Sequence, residues 1–105
     1  MPEPNRRRSE RIPLVISIRV DGKSAKGQQF SEATRTVEIN RQGARIFLKD
    51  QVIPGTPLRI VNLKSNAAAA FRVVRTTQAM TGMGGEWAVD SLDPKQSIWG
   101  IEFPP

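Results

Sequence analysis

The chain has no cysteine, no histidine and no tyrosine. Without cysteine there are no disulfides and no thiolate metal sites, which fits a reducing compartment. Without histidine, the commonest general acid/base, the commonest zinc ligand and every Ser-His-Asp triad are excluded. Carboxylates are the remaining candidates for acid/base work, and nothing in the sequence marks out a catalytic pair. An enzyme is therefore not expected, nor is a cofactor. Aromatic residues number six, two Trp and four Phe. Proteins that read single-stranded nucleic acid stack bases on aromatics, and no strand here offers two on one face. A nucleic-acid partner is thus not favoured. No apolar run approaches the ~20 residues of a membrane-spanning helix. Leu14–Val20 is short and contains Ser17 and Arg19, so it makes no signal-peptide core. The expectation is a cytoplasmic protein with no membrane partner.

What is present is positive charge, unevenly placed. Residues 1–75 carry fifteen bases and six acids, whereas residues 76–105 carry one base and four acids. A basic body favours an anionic partner without selecting which one. With 105 residues, the chain is one domain's worth.

Residues 1–13 read as a flexible basic arm. Pro2, Pro4 and Pro13 interrupt regular structure, and Arg6, Arg7, Arg8 and Arg11 crowd between them. Residues 14–105 read as a single β domain. Leu14, Ile16, Ile18 and Val20 alternate with less apolar neighbours, which predicts a strand over 14–20. Asp21–Gln29 is then expected as a loop. Thr34–Asn40 predicts a second strand, with Val37 and Ile39 on one face and Thr36, Glu38 and Asn40 on the other. Asn40–Gly43 has the composition of a tight turn, with Gly43 suited either to positive φ or to close backbone approach. Gly43–Lys49 resumes alternation, placing Ala44, Ile46 and Leu48 opposite Arg45, Phe47 and Lys49 and completing a hairpin. Leu58–Leu63, Ala67–Thr77 and Glu86–Leu92 follow as further strands. The alanine run of the fifth would suit a helix, but its β-branched second half favours a strand. Asp93–Pro94 predicts a short turn or helix. Six short strands with little helix predict a small antiparallel barrel or sandwich, with closure protecting the edges.

Arginine pairs bidentately with phosphate and with the O6/N7 edge of guanine, and it stacks on bases. A carboxylate accepts the N1–H and N2–H₂ protons of guanine, and an amide donates or accepts. The arm therefore gains interest from Glu38 and Asn40 beside the turn. Taken alone, each position also has a plain structural role. The arm can be solvated, Glu38 can pair with a nearby arginine, Asn40 can open the turn, and Gly43 can serve backbone geometry. Trp87, Trp99, Phe71 and Phe103 suit the core, while Phe47 suits the outer surface.

The segments "RRRSERIPL" and "VEINRQGARI" together resemble the PilZ domain, a six-stranded barrel of bacterial proteins that binds cyclic di-GMP. The first family motif maps onto Arg6, Arg7 and Arg11. The second maps onto Glu38, Asn40 and Gly43, with Glu38 where the family has Asp or Asn and Asn40 where it has Ser. The resemblance implies a stand-alone sensor or adaptor. Arg6, Arg7 and Arg11 would grip the ligand, Glu38 and Asn40 would read guanine, Gly43 would form the turn, and a protein partner would receive the signal. Arg75 is expected to lie outside that site. The alternative is a degenerate member that acts only through protein contacts.

Overall fold

The computed structural model describes residues 12–76, 84–93 and 97–100. It is all-β. Six antiparallel strands close into a barrel in the order β1-β2-β3-β6-β5-β4, with β4 returning to β1. The strands are β1 Ser17–Lys23, β2 Gln29–Ile39, β3 Gly43–Leu48, β4 Pro57–Asn62, β5 Ala68–Thr76 and β6 Gly85–Ser91. The alanine run is thus strand, as its β-branched continuation indicated. No helix occurs among the described residues, so none there is long and apolar enough to cross a membrane.

Alternation builds the core. Ile18 and Val20 of β1, Ala44, Ile46 and Leu48 of β3, Leu58 and Ile60 of β4, Phe71 and Val73 of β5, and Trp87 and Val89 of β6 all point inward and are buried. Each large apolar side chain fully buried in this way stabilises the barrel by about 1.5–3 kcal/mol. Ile98 and Trp99 close one end, with the Trp99 ring 5.7 Å from that of Phe71. The buried Asn62 side chain secures this plug. Its Nδ2 donates to Ile98 O at 2.7 Å, and its Oδ1 accepts from Lys64 N at 2.9 Å.

The first strand differs from the sequence expectation. Its ladder runs Ser17–Lys23, so Asp21–Lys23 are strand rather than loop. β2 begins at Gln29 and pairs with all seven residues of β1. Polar content suggested a loop here, but the hydrogen-bond ladder outweighs composition. On the outer face, Asp21 accepts from the Ser31 hydroxyl at 2.6 Å and from Arg19 Nε and Nη2 at 3.2 Å each, and Arg59 lies 3.7 Å away.

Leu14–Ile16 lie ahead of the ladder and are joined to β2 by one side chain. Thr36 is fully buried. Its Oγ1 donates to Leu14 O at 2.6 Å and accepts from Ile16 N at 2.8 Å, while its backbone N–H donates to Ile16 O at 3.0 Å. The expected placement of Thr36 on the polar face is therefore reversed. The cause is a bulge between Thr36 and Glu38, which leaves Val37 as the extra residue. One inserted residue lets Thr36 and Ile39 both face the core while Glu38 faces out. Ile12 then pairs with Ile39, Ile12 N to Ile39 O at 2.8 Å and Ile39 N to Ile12 O at 2.9 Å.

Two outcomes follow. Thr36→Val keeps the shape but leaves a part-buried N–H and a part-buried C=O without their partner, and should cost up to about 1–3 kcal/mol per unsatisfied group. Thr36→Ser should cost less, because it keeps the hydroxyl. Urea denaturation midpoints will rank the two. Separately, the Ser31 hydroxyl holds the Asp21 carboxyl below its ordinary range; burial opposes it as the next largest effect, and Arg19 and Arg59 add to the lowering. A folded pKa below the unfolded one gives stability that is present above the unfolded value, about 3.9, and is lost as pH falls through the folded value. Asp21→Asn should flatten stability against pH in that acid window. Ser31→Ala should raise the Asp21 pKa, read by NMR titration of its carboxyl carbon.

Candidate functional site

The hairpin joining β2 to β3 begins at Asn40. Asn40 N donates to Gly43 O at 3.0 Å. The Asn40 side-chain oxygen accepts from Gln42 N at 2.8 Å and from Gly43 N at 2.7 Å. Both partners are N–H donors, which fixes the orientation of the amide. Asn40 therefore builds the turn with its oxygen, and its Nδ2 can act as a donor only. The hairpin is also tied to β6, where Ser91 N donates to Gln42 O at 2.7 Å.

Gly43 is not required for positive φ, which it does not have. It is required for close approach. A Cβ there would lie 1.9 Å from Val89 O and 2.9 Å from Val89 C, on the opposing β6 backbone. Of the two roles that suited this glycine in the sequence, close approach is the one the structure uses.

Glu38 projects outward and sits opposite Arg45 on β3. Arg45 Nη2 is 3.3 Å from Glu38 Oε1, and Arg45 Nε is 3.5 Å from Glu86 Oε1 on β6. Arg45 is thus pinned between two carboxylates. Its neighbour on the other side is Ala88 of β6, which in turn sits opposite Arg75 of β5. Glu38, Arg45, Ala88 and Arg75 form one row across four strands. Both ends of this row lie at a bulge, the first between Thr36 and Glu38 and the second between Val73 and Arg75. Strict alternation from Phe71 and Val73 would turn Arg75 toward the core. The second bulge leaves Val74 as the extra residue and sets Arg75 outside.

The row lies in an open groove of about 520 Å³. Asn40, Gln42, Asp90 and Thr76 complete much of its rim. The groove therefore brings together Glu38 and Asn40, two of the residues singled out in the sequence, with Gly43 supporting them from the β3–β6 seam. It also contains Arg75, which was expected elsewhere. Two further residues, Arg45 and Ala88, went unnoticed as site residues. The alternation of β3 was the signal that put Arg45 outside, whereas the β3–β6 pairing that adds Ala88 has no local signature. Phe47 is on the outer face as expected, with the Arg35 guanidinium 5.2 Å over its ring. Trp87, Trp99 and Phe71 are buried as expected.

Arg6, Arg7 and Arg11 lie outside the described residues, as do Phe103 and residues 94–96 of the expected C-terminal turn or helix. The described chain begins at Ile12, whose bonded partner Ile39 stands between Glu38 and Asn40 in β2. No group of three or more metal-ligating side chains occurs among the described residues.

Gly43→Ala should break the seam that carries the groove. Its cost should exceed the ~1–3 kcal/mol typical of overpacking, because the clash is with backbone rather than with a movable side chain. Guanidinium unfolding of the variant beside the parent protein measures it.

No protein-family model, curated protein or solved structure matches the chain.

Proposed function

We propose that the groove binds cyclic di-GMP, with the arginine-bearing segment before Ile12 closing over it, and that the chain passes the bound state to a protein partner. The observation carrying this reading is the Ile12–Ile39 pair beside Glu38 and Asn40. Arg11 is covalently next to Ile12. Arg7 is five residues from it, within about 17 Å at full extension. Guanidinium groups can therefore reach the groove, where they would meet phosphates and guanine edges. Glu38 would accept the N1–H and N2–H₂ protons of a guanine. A carboxylate offers about four lone-pair sites, so contact with Arg45 is compatible with that role. Asn40 would donate from Nδ2 to guanine O6 or N7, the acceptors that complement a donor. The resemblance of the two motifs to the PilZ pattern supports the same ligand.

A second reading has its own observation. Glu38 is ion-paired with Arg45, and the Asn40 oxygen is spent on the turn, so both residues have a complete structural use without ligand. On that reading the barrel is a protein-interaction module and binds no nucleotide.

Calorimetric titration of the full chain with cyclic di-GMP separates the two. The first reading requires a Kd tighter than about 100 μM, on the order of −5.5 kcal/mol. It also requires Arg7→Ala and Arg11→Ala to abolish the heat. Arg59→Ala, on β4 beside Asp21 and away from the groove, should leave it intact. Absence of heat from the parent protein would exclude nucleotide binding and leave the interaction module.

A further inference from the structure

We infer that Arg75 is a phosphate-binding residue of the groove and that the ligand lies along the Glu38–Arg45–Ala88–Arg75 row in one direction, guanine at the β2 end and phosphate at the β5 end. This rests on the nucleotide reading above. Four residues on four adjacent strands span roughly 14 Å at a strand spacing of ~4.8 Å. Charge along the row is ordered. Glu38 is the negative end. Arg45 is balanced by the two carboxylates at 3.3 and 3.5 Å. Ala88 is a small apolar floor. Arg75 is exposed and forms no ion pair with any described residue. Among the described residues that line the groove, where Asp90 adds a second carboxylate, it is the cation without an ion pair, and a phosphate is the part of a nucleotide that such a fork binds.

The two bulges strengthen this assignment. A bulge next to Arg75 alone could be a local device that keeps a guanidinium out of the core. The bulge next to Glu38 is on a different strand, yet its outward residue lies on the same row. Bulges that re-aim side chains recur beside binding sites. Here two of them aim groups of opposite sign at opposite ends of one groove, which suits a ligand with a hydrogen-bond-donating base edge and an anionic group. Between them Arg45, held by Glu38 and Glu86, presents a guanidinium on which a base can stack. Ala88 leaves room for it, because a larger residue would stand up from the floor between Arg45 and Arg75.

The test is calorimetry of the full chain with cyclic di-GMP, joined to ³¹P NMR of the bound ligand. Arg75→Ala should weaken binding at least tenfold and shift the ³¹P resonance. Arg75→Lys should fall between Ala and the parent, since it keeps the charge but loses the fork. Ala88→Leu should also weaken binding at least tenfold, by filling the floor. Arg59→Ala should stay within twofold of the parent. Circular dichroism melting checks that each variant is folded, and Arg75→Gln replaces Arg75→Ala if the latter is not. If the parent protein binds and Arg75→Ala binds within twofold of it, this assignment is wrong while the nucleotide reading stands. If the parent protein does not bind, both fall.

Discussion

A single buried hydroxyl, together with neighbouring backbone bonds, holds the chain ahead of β1 against β2. Thr36 Oγ1 bridges Leu14 O and Ile16 N, where the β1–β2 ladder has run out and the strand register slips by one residue. Without it, two part-buried backbone groups would lose their partner, at up to about 1–3 kcal/mol each. With it, the chain from Ile12 to Ile16 stays against β2 as far as Ile39. The same register slip turns Glu38 outward. One local irregularity therefore positions both the start of the described chain and the acidic end of the groove.

The opposite wall depends on a second constraint of the same kind. Gly43 allows β3 to approach β6 so closely that no Cβ fits. That seam aligns Arg45 with Ala88, and the β5 bulge then aligns Ala88 with Arg75. The groove is thus a consequence of strand register more than of any loop. Such a groove is stiff, because shifting it would break ladder hydrogen bonds across four strands.

Much of the fold was legible because burial alternates cleanly through most of β1, β3 and β6 and the first part of β5. Ala44, Ile46 and Leu48 against Arg45 and Phe47 is the plainest case, and the structure repeats it residue for residue. The alternation failed where bulges intervene. Thr36 was expected outside and is at the core, and Arg75 was expected away from the site and lines it. A bulge adds one residue to one strand only, and nothing in the residues around Val37 or Val74 announces it. The end of β1, Asp21–Lys23, and Gln29 at the start of β2 were expected as loop, and the polar residues 30–33 of β2 were not assigned to a strand. The strand character of this first half of β2 comes from pairing with β1, with Glu32 and Thr34 side chains bonding the Lys49 N–H and Phe47 carbonyl of the segment beyond.

By itself, the sequence determined six short strands suited to a small antiparallel barrel or sandwich, a turn at Asn40–Gly43, an outward Glu38 and a basic segment ahead of Leu14. These follow from side-chain period, turn chemistry and charge, which are local properties of neighbouring residues. Only the tertiary structure decided that Gly43 serves close packing and that Asn40 spends its oxygen on the turn. It alone placed Arg45, Ala88 and Arg75 in a row with Glu38. Those facts depend on which residue of one strand stands opposite which residue of another. That register is set by ladder hydrogen bonds and bulges between segments distant in the chain.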